Sequence, residues 1–187
     1  MTGLGERGGV ATNDDIAALI RTIPDFPHAG IQFRDITTLL LDGPGFRRTV
    51  ERMGAATDAD VDLIAGIEAR GFVFGAALAA ALGKWLVLVR KKNKLPGAVI
   101  GVNYALEYGD DRVEIHADAV PAGARVLIVD DLIATGGTAL AAVELLRVAK
   151  AEVTRAAFVI DLPDLGGAAR LRAAGVAVTS LVAFAGD

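Results

Sequence analysis

The chain has 187 residues, a length that suits one domain, and 53% of them are hydrophobic, enough for a sizeable core. The net charge of −4 argues against a nucleic-acid-binding surface, and the absence of cysteine excludes disulfides and thiolate metal sites. Two histidines are too few for a histidine-based metal centre, and no apolar run approaches the ~20 residues of a membrane span.

Residues 1–12 are polar and Gly-rich and read as a flexible tail. They contain Gly3-Leu4-Gly5-Glu6-Arg7-Gly8, which matches a dinucleotide fingerprint in letters only, because no strand precedes it and no crossover unit follows. No apolar leader segment is visible, so a cytoplasmic protein without a membrane partner is expected. Asn13 reads as an N-cap, Asp14 and Asp15 suit a first turn, and Ile16, Leu19, Ile20 and Ile23 keep helical spacing until Pro24 stops the helix. Residues 24–30 form a stiff Pro-containing loop with His28 facing solvent. Residues 31–36 alternate like a strand, with Phe33 and Arg34 on opposite faces. Asp42-Gly43-Pro44 marks a turn and a helix start, and Phe46, Val50 and Met53 give that helix a buried stripe.

Residues 61–67 read as a buried strand that runs into Glu68-Ala69-Arg70-Gly71-Phe72 and a helix of small residues. A strand, a tight loop carrying Arg70 and a helix make an anion-binding layout. A third strand, residues 86–89, ends in Arg90-Lys91-Lys92-Asn93-Lys94, four cations at the carboxyl end of a strand, where ligands of open α/β sheets bind. Residues 95–112 are long, irregular and rich in Gly and Pro, and read as a lid. Residues 112–117 then alternate as a half-exposed strand, with Glu114 and His116 on the outer face.

The most informative run follows. Val126-Leu127-Ile128-Val129 is a buried strand ending in the adjacent carboxylates Asp130 and Asp131. Ala134, Thr135, Gly136, Gly137 and Thr138 form the next loop, and Leu140, Val143 and Leu146 mark one face of the helix beyond it. Glycines free to take unusual φ/ψ, a helix N-terminus and two hydroxyls make a phosphate cradle. No Lys follows the glycines, so the loop is not a Walker motif. Two acids beside a phosphate fit a ligand that also carries neutral hydroxyls or a divalent cation, hence a sugar phosphate. Residues 153–160 and 176–184 supply two more strands, separated by a loop containing Leu165 and a short Ala/Arg helix. Strands alternating with helices imply an α/β fold, an open, mainly parallel sheet flanked by helices.

The run over residues 126–138 resembles the phosphoribosyl pyrophosphate motif of type I phosphoribosyltransferases. Pro24-Asp25-Phe26-Pro27-His28-Ala29-Gly30-Ile31-Gln32-Phe33-Arg34-Asp35-Ile36 resembles the base-binding segment of the adenine phosphoribosyltransferases, and Tyr104-Ala105-Leu106-Glu107-Tyr108-Gly109 resembles their Y-x-L-E-Y-G lid. With the Arg70 loop, the similarity covers residues 23–165. It implies one domain, 1–187, with residues 13–40 contributing a small base-binding cap and 95–112 a mobile lid. It implies conversion of adenine and phosphoribosyl pyrophosphate to AMP and pyrophosphate with Mg²⁺, in a homodimer. By the same resemblance Arg70, Arg90, Lys91 and Lys94 face pyrophosphate, Asp130 and Asp131 the ribose hydroxyls, and the 134–138 loop the 5′-phosphate. Glu107 manages the purine proton and Tyr108 contributes to the phosphoribosyl site. Gln32, Phe33, Arg34 and Leu165 frame the base, with Gln32 reading it through its backbone. Mg²⁺ is expected to be held by substrate oxygens, with Asp130 or Asp131 reaching it only through water. Two alternatives stay open: a 6-oxopurine phosphoribosyltransferase, and a non-catalytic regulator that senses phosphoribosyl pyrophosphate. A regulator should carry an added nucleic-acid-binding element or basic face, and this chain has neither.

Overall fold

The structure, a computed structural model, describes residues 13–57, 60–105 and 109–186. The 1–12 tail with its glycine pattern, and Glu107 and Tyr108 of the lid, lie outside these residues. None of the described helices is long and apolar enough to cross a membrane.

The N-terminal segment departs from the helical reading. Helix α1 (Asp14–Ala17) is one turn long, and Arg21–Pro24 forms strand β1 instead of continuing it. The spacing of Ile16, Leu19, Ile20 and Ile23 satisfies either course. Pairing decides: β1 runs antiparallel to β2 (Gln32–Asp35), with Ile23 opposite Phe33, and the Thr38 hydroxyl donates to the Leu19 carbonyl where the chain leaves the helix. Asn13 caps nothing with its side chain. Its amide donates to the Leu181 carbonyl at 2.7 Å, and its Oδ1 accepts from Arg52. A short helix α2 (Thr37–Leu41) follows. Helix α3 (Gly43–Ala56) starts as expected, with Asp42 accepting from the Gly45 N–H at 2.6 Å and Val50 and Met53 buried.

Strand β3 (Leu63–Ile67) is buried along its whole length and feeds helix α4 (Gly71–Leu82) and strand β4 (Trp85–Lys91). Residues 95–112, read as irregular, instead hold most of a β-hairpin, β5 (Val99–Ala105) and β6 (Asp110–His116). Its glycine is structural: a Cβ on Gly101 would lie 2.7 Å from the Arg112 guanidinium of the partner strand. The outer face expected for β6 is half right. His116 is half-buried, but Glu114 is buried, where it accepts from Arg112 Nε at 2.8 Å and from the Asn93 N–H at 3.0 Å. Strand β7 (Arg125–Ile133), helix α5 (Gly137–Val148), strand β8 (Glu152–Asp161), a 3₁₀ turn (Pro163–Leu165), helix α6 (Gly167–Ala173) and strand β9 (Ala177–Ala183) complete the described chain.

Among the described residues, seven strands form one sheet in the order β5-β6-β4-β3-β7-β8-β9. The β4-β3-β7-β8-β9 part is parallel and the β5–β6 hairpin adds antiparallel strands at one edge, so the expected mainly parallel α/β sheet is borne out. One apolar layer, including Phe158 and Leu146, packs under α5 and α6; the other, including Phe74, Leu78 and Met53, packs under α3 and α4. From β3 the chain passes to β4 on one side and returns to β7 on the other. The sheet therefore reverses its winding between β3 and β7, and their carboxyl ends open a crevice there.

Candidate active site

Two loops meet at that crevice. The turn after β3 carries Glu68, Ala69 and Arg70, and β7 carries Asp130 and Asp131 near its carboxyl end, running on to Ile133 rather than stopping at the acid pair as the sequence suggests. Their approach depends on Gly71, where a Cβ would lie 2.7 Å from Asp130 Oδ1 and 2.8 Å from the Val129 carbonyl. Arg70 Nε comes within 2.9 Å of Asp131 Oδ2, and its guanidinium lies 5.3 Å from the centre of the Phe33 ring on β2. Asp130 Oδ1 accepts from the Asp131 N–H at 2.8 Å. Burial pushes the Asp130 carboxyl well above the usual range, and the neighbouring Asp131 charge adds to this. Burial raises Asp131 as well, opposed mainly by Arg70. The contact between Arg70 and Asp131 is close but poorly angled: the buried Oδ2 has an ion partner and no hydrogen bond.

The 134–138 loop sits at the same end of β7. Gly136 takes φ +80°, the left-handed conformation that the loop reading required; Gly137 does not, and instead begins α5. The loop is braced from behind by α6, a feature the sequence reading missed. The Gly167 N–H donates to the Ala134 carbonyl at 3.0 Å and Arg170 donates to the Thr135 carbonyl at 3.2 Å. A Cβ on Gly167 would stand 2.2 Å from that Ala134 oxygen, so only glycine lets the two segments touch. Thr135 is exposed, while Thr138 Oγ1 lies 3.1 Å from the Tyr104 hydroxyl of β5.

The basic cluster is more committed than its sequence suggests. Arg90 pairs with Glu68, Nε to Oε2 at 3.0 Å, and the Lys91 N–H also donates to Glu68 Oε2 at 2.7 Å. Lys91 Nζ pairs with Asp111 Oδ2 of β6 at 2.6 Å and donates to the Tyr104 hydroxyl. Lys92 and Lys94 are exposed at the end of the run. Glu68 thus ties the Arg70 turn to the cationic strand end, a role invisible in the sequence because its partners lie more than twenty positions away.

On the base side, Phe33 meets Phe26 edge-on at 5.2 Å, and Leu165 packs against the α3–α4 core layer. Gln32 is half-buried on β2. The Arg34 side chain turns away from this group. It donates to Thr22 Oγ1 and the Ala185 carbonyl and covers the Phe184 ring at 4.6 Å, so in the free protein its guanidinium frames the C-terminal segment. Asp35 is anchored by the Thr37 N–H and by Arg21, and its carboxyl is held down at about 2, mainly by Thr37.

Comparison with known proteins agrees with this geometry. The chain matches the phosphoribosyl transferase domain family over residues 37–171. It is 60% identical over 174 residues to the adenine phosphoribosyltransferase of Sphingopyxis alaskensis, covering 92% of this chain and 95% of that protein. The chain belongs to the adenine phosphoribosyltransferases. The family expected from the motifs is thus borne out, and with it a phosphoribosyl-transferring enzyme. The corresponding enzyme of Erythrobacter litoralis is 61% identical, covering 94% of this chain and 99% of that one. Solved structures agree. The adenine phosphoribosyltransferase of Thermoanaerobacter pseudethanolicus superposes with a TM-score of 0.88 at 46% identity, covering 92% of this chain and all of that one. The Saccharomyces cerevisiae enzyme, solved with adenine and an imino-altritol bisphosphate, superposes with a TM-score of 0.84 at 38% identity, covering 90% and 97%.

Proposed function

We propose that this adenine phosphoribosyltransferase makes AMP and pyrophosphate from adenine and phosphoribosyl pyrophosphate. The observation that carries the reading is the meeting of Arg70, the Asp130–Asp131 pair and the braced 134–138 loop at the β3–β7 crevice. A 5′-phosphate on that loop puts the ribose hydroxyls at the acid pair and the anomeric carbon near Arg70. The C1–pyrophosphate bond breaks, the C1–N9 bond forms, and N9 gives up its proton. Arg70 holds the departing pyrophosphate, with the Arg90, Lys91 and Lys94 run beyond it. Asp131 Oδ2, buried and without a hydrogen bond, suits a ribose hydroxyl. The substrate thereby replaces two contacts, Arg70–Asp131 and Arg70–Phe33: pyrophosphate takes the Arg70 guanidinium, ribose takes Asp131, and the base takes the ring face of Phe33. Glu107 remains the residue for the purine proton, and Tyr108 a contributor to the phosphoribosyl site, on family resemblance.

The donor set suits Mg²⁺ held through substrate oxygens: among the described residues no cluster of three or more His, Cys, Asp or Glu forms a metal cage, while Asp131 Oδ2, ion-paired with Arg70, makes no hydrogen bond. When bound, Mg²⁺ would supply neutralisation of the charge growing on the leaving group. A homodimer is supported by the apolar face that Leu86 and Leu88 of β4 and Val73 of α4 leave 37–39% exposed, beside Trp85 at 66%.

Base choice follows from β2. Among the described residues it pairs only with β1, so its outer edge offers backbone N–H and C=O groups to a ligand. Adenine presents a donor at its 6-amino group and an acceptor at N1; a 6-oxopurine presents the reverse. Two mismatched contacts at about 1–3 kcal/mol each amount to roughly 30- to 10⁴-fold discrimination. The test is kcat/KM for adenine, hypoxanthine and guanine with phosphoribosyl pyrophosphate and Mg²⁺. Adenine should lead by at least thirtyfold; hypoxanthine or guanine within tenfold would transfer the reading to a 6-oxopurine enzyme, and no nucleotide from any base would favour the non-catalytic sensor.

A further inference from the structure

Four side chains from four elements converge behind the phosphate loop. Lys91 (β4) donates to the Tyr104 hydroxyl (β5) and pairs with Asp111 (β6) at 2.6 Å. The Tyr104 hydroxyl lies 3.0 Å from Asp111 Oδ2 and 3.1 Å from Thr138 Oγ1 (α5). The Tyr104 ring also packs at the mouth of the loop, where a Cβ on Gly137 would lie 3.9 Å away.

The phenol has one proton and two neighbours able to accept it. In one arrangement it goes to Asp111, and Thr138 spends its own proton on the phenol oxygen. In the other the phenol donates to Thr138, whose proton is then free to point into the loop. Asp111 is already supplied, by Lys91 at Oδ2 and by the Arg112 N–H at Oδ1. Lys91 meanwhile fills an acceptor position on the phenol and makes its proton a better donor. An anion in the loop selects the second arrangement, because it needs the Thr138 proton.

We propose that Tyr104 is a positioning residue for the 5′-phosphate: its hydroxyl, held at its oxygen by Lys91, gives its proton to Thr138 when the loop is filled and turns the Thr138 proton toward the ligand. The proposal rests on the reading of residues 134–138 as the phosphate loop. It also gives Lys91 a role through Tyr104 that needs no contact with pyrophosphate.

AMP carries the 5′-phosphate without pyrophosphate, so the two halves of the site can be titrated separately by calorimetry. Tyr104→Phe keeps the ring and removes the hydroxyl. It should weaken AMP about threefold to tenfold, the scale of one hydrogen bond, and leave pyrophosphate affinity unchanged. Thr138→Ala should weaken AMP at least as much, and the double variant should be no weaker than Thr138→Ala alone. Unchanged or tighter AMP binding by Tyr104→Phe overturns the proposal, the latter by showing that the phenol competes with phosphate. Additive losses in the double variant overturn it too, because Tyr104 would then act independently of Thr138. If Thr138→Ala itself leaves AMP affinity unchanged, the phosphate-loop reading has failed and the proposal falls with it.

Discussion

Gly167→Ala is the sharpest test of how the phosphate loop is built. The added Cβ would sit 2.2 Å from the Ala134 carbonyl oxygen, 2.7 Å from the Gly136 nitrogen and 2.9 Å from Ile133 Cγ1. All three atoms belong to the loop or to the strand that enters it, and two are backbone that no rotamer change can move. Ordinary contact requires the loop and α6 to separate by about 1 Å, which also stretches the 3.0 Å Gly167–Ala134 hydrogen bond. Overpacking of this kind costs about 1–3 kcal/mol, and for a chain of this size each 1 kcal/mol lowers Tm by about 2–4 °C. A fall in Tm of roughly 2–12 °C is therefore expected. Misplacement of positioning groups by about 1 Å can cost ~10²-fold in rate, so kcat/KM for phosphoribosyl pyrophosphate should fall by about one to two decades. Pyrophosphate binding, which uses the other side of the crevice, should persist. The assay pairs calorimetric unfolding with steady-state kinetics. A variant with wild-type Tm and wild-type KM for phosphoribosyl pyrophosphate would refute the brace.

Two further outcomes depend on charge. The folded fold holds the Asp130 carboxyl above its unfolded value, so this group favours the fold at low pH and costs stability as pH rises through the folded pKa. Asp130→Asn removes that cost while its Oδ1 still accepts from the Asp131 N–H; the variant should melt above wild type at pH 8, the gap should close near pH 4, and phosphoribosyl pyrophosphate use should drop. A lower Tm at pH 8 would mean that the charged carboxylate is already satisfied in the free protein. Asp35 behaves oppositely: Thr37 and Arg21 hold its carboxyl at about 2, so its contribution is present above the unfolded value near 3.8 and is lost as pH falls through about 2. Asp35→Asn should cost on the order of 1 kcal/mol in urea unfolding at pH 6 and clearly less at pH 2, where about half of the folded carboxyls are protonated, and an equal loss at both would rule out the ionised group as the cause.

What the sequence made legible was whatever is written locally. Buried β-branched runs announced β3 and β7, and Gly136 announced its left-handed turn, because strand burial and φ are properties of a few neighbouring residues. Residues 16–23 were misread as a longer helix because spacing alone does not separate a helix from a turn followed by a strand that finds a partner ten residues on. The β5–β6 hairpin was hidden behind Gly and Pro: Gly101 looks like a breaker, yet it is there to pass the Arg112 side chain. Glu114 was placed outside because alternation reports faces and not depth; Arg112 and the Asn93 N–H make its burial tolerable. In the site, the acid pair and Arg70 were legible as chemistry, but Glu68, Gly167 and Tyr104 act on residues 22 to 34 positions away and leave no local mark.

The free protein concentrates its unmet electrostatic demands at one end of the sheet. Asp130 and Asp131 lie near the carboxyl end of β7, and Asp161 closes the neighbouring strand β8; burial raises the proton affinity of all three. Two of their buried oxygens, Asp131 Oδ2 and Asp161 Oδ1, have no hydrogen-bond partner among the described residues. Apolar packing of the same positions would stabilise the fold, as it does along the rest of β7 and β8. A fold retains such groups where a ligand completes them, and the carboxyl ends of parallel strands are where backbone topology leaves room for one. Arg70 partly relieves this strain in the free protein by lying between Asp131 and the Phe33 ring. It is also the group proposed to hold the pyrophosphate. On the proposed reading one guanidinium therefore couples the three parts of the site before any substrate arrives: the leaving group would draw it away, and its departure would expose the ribose acid and the base platform together.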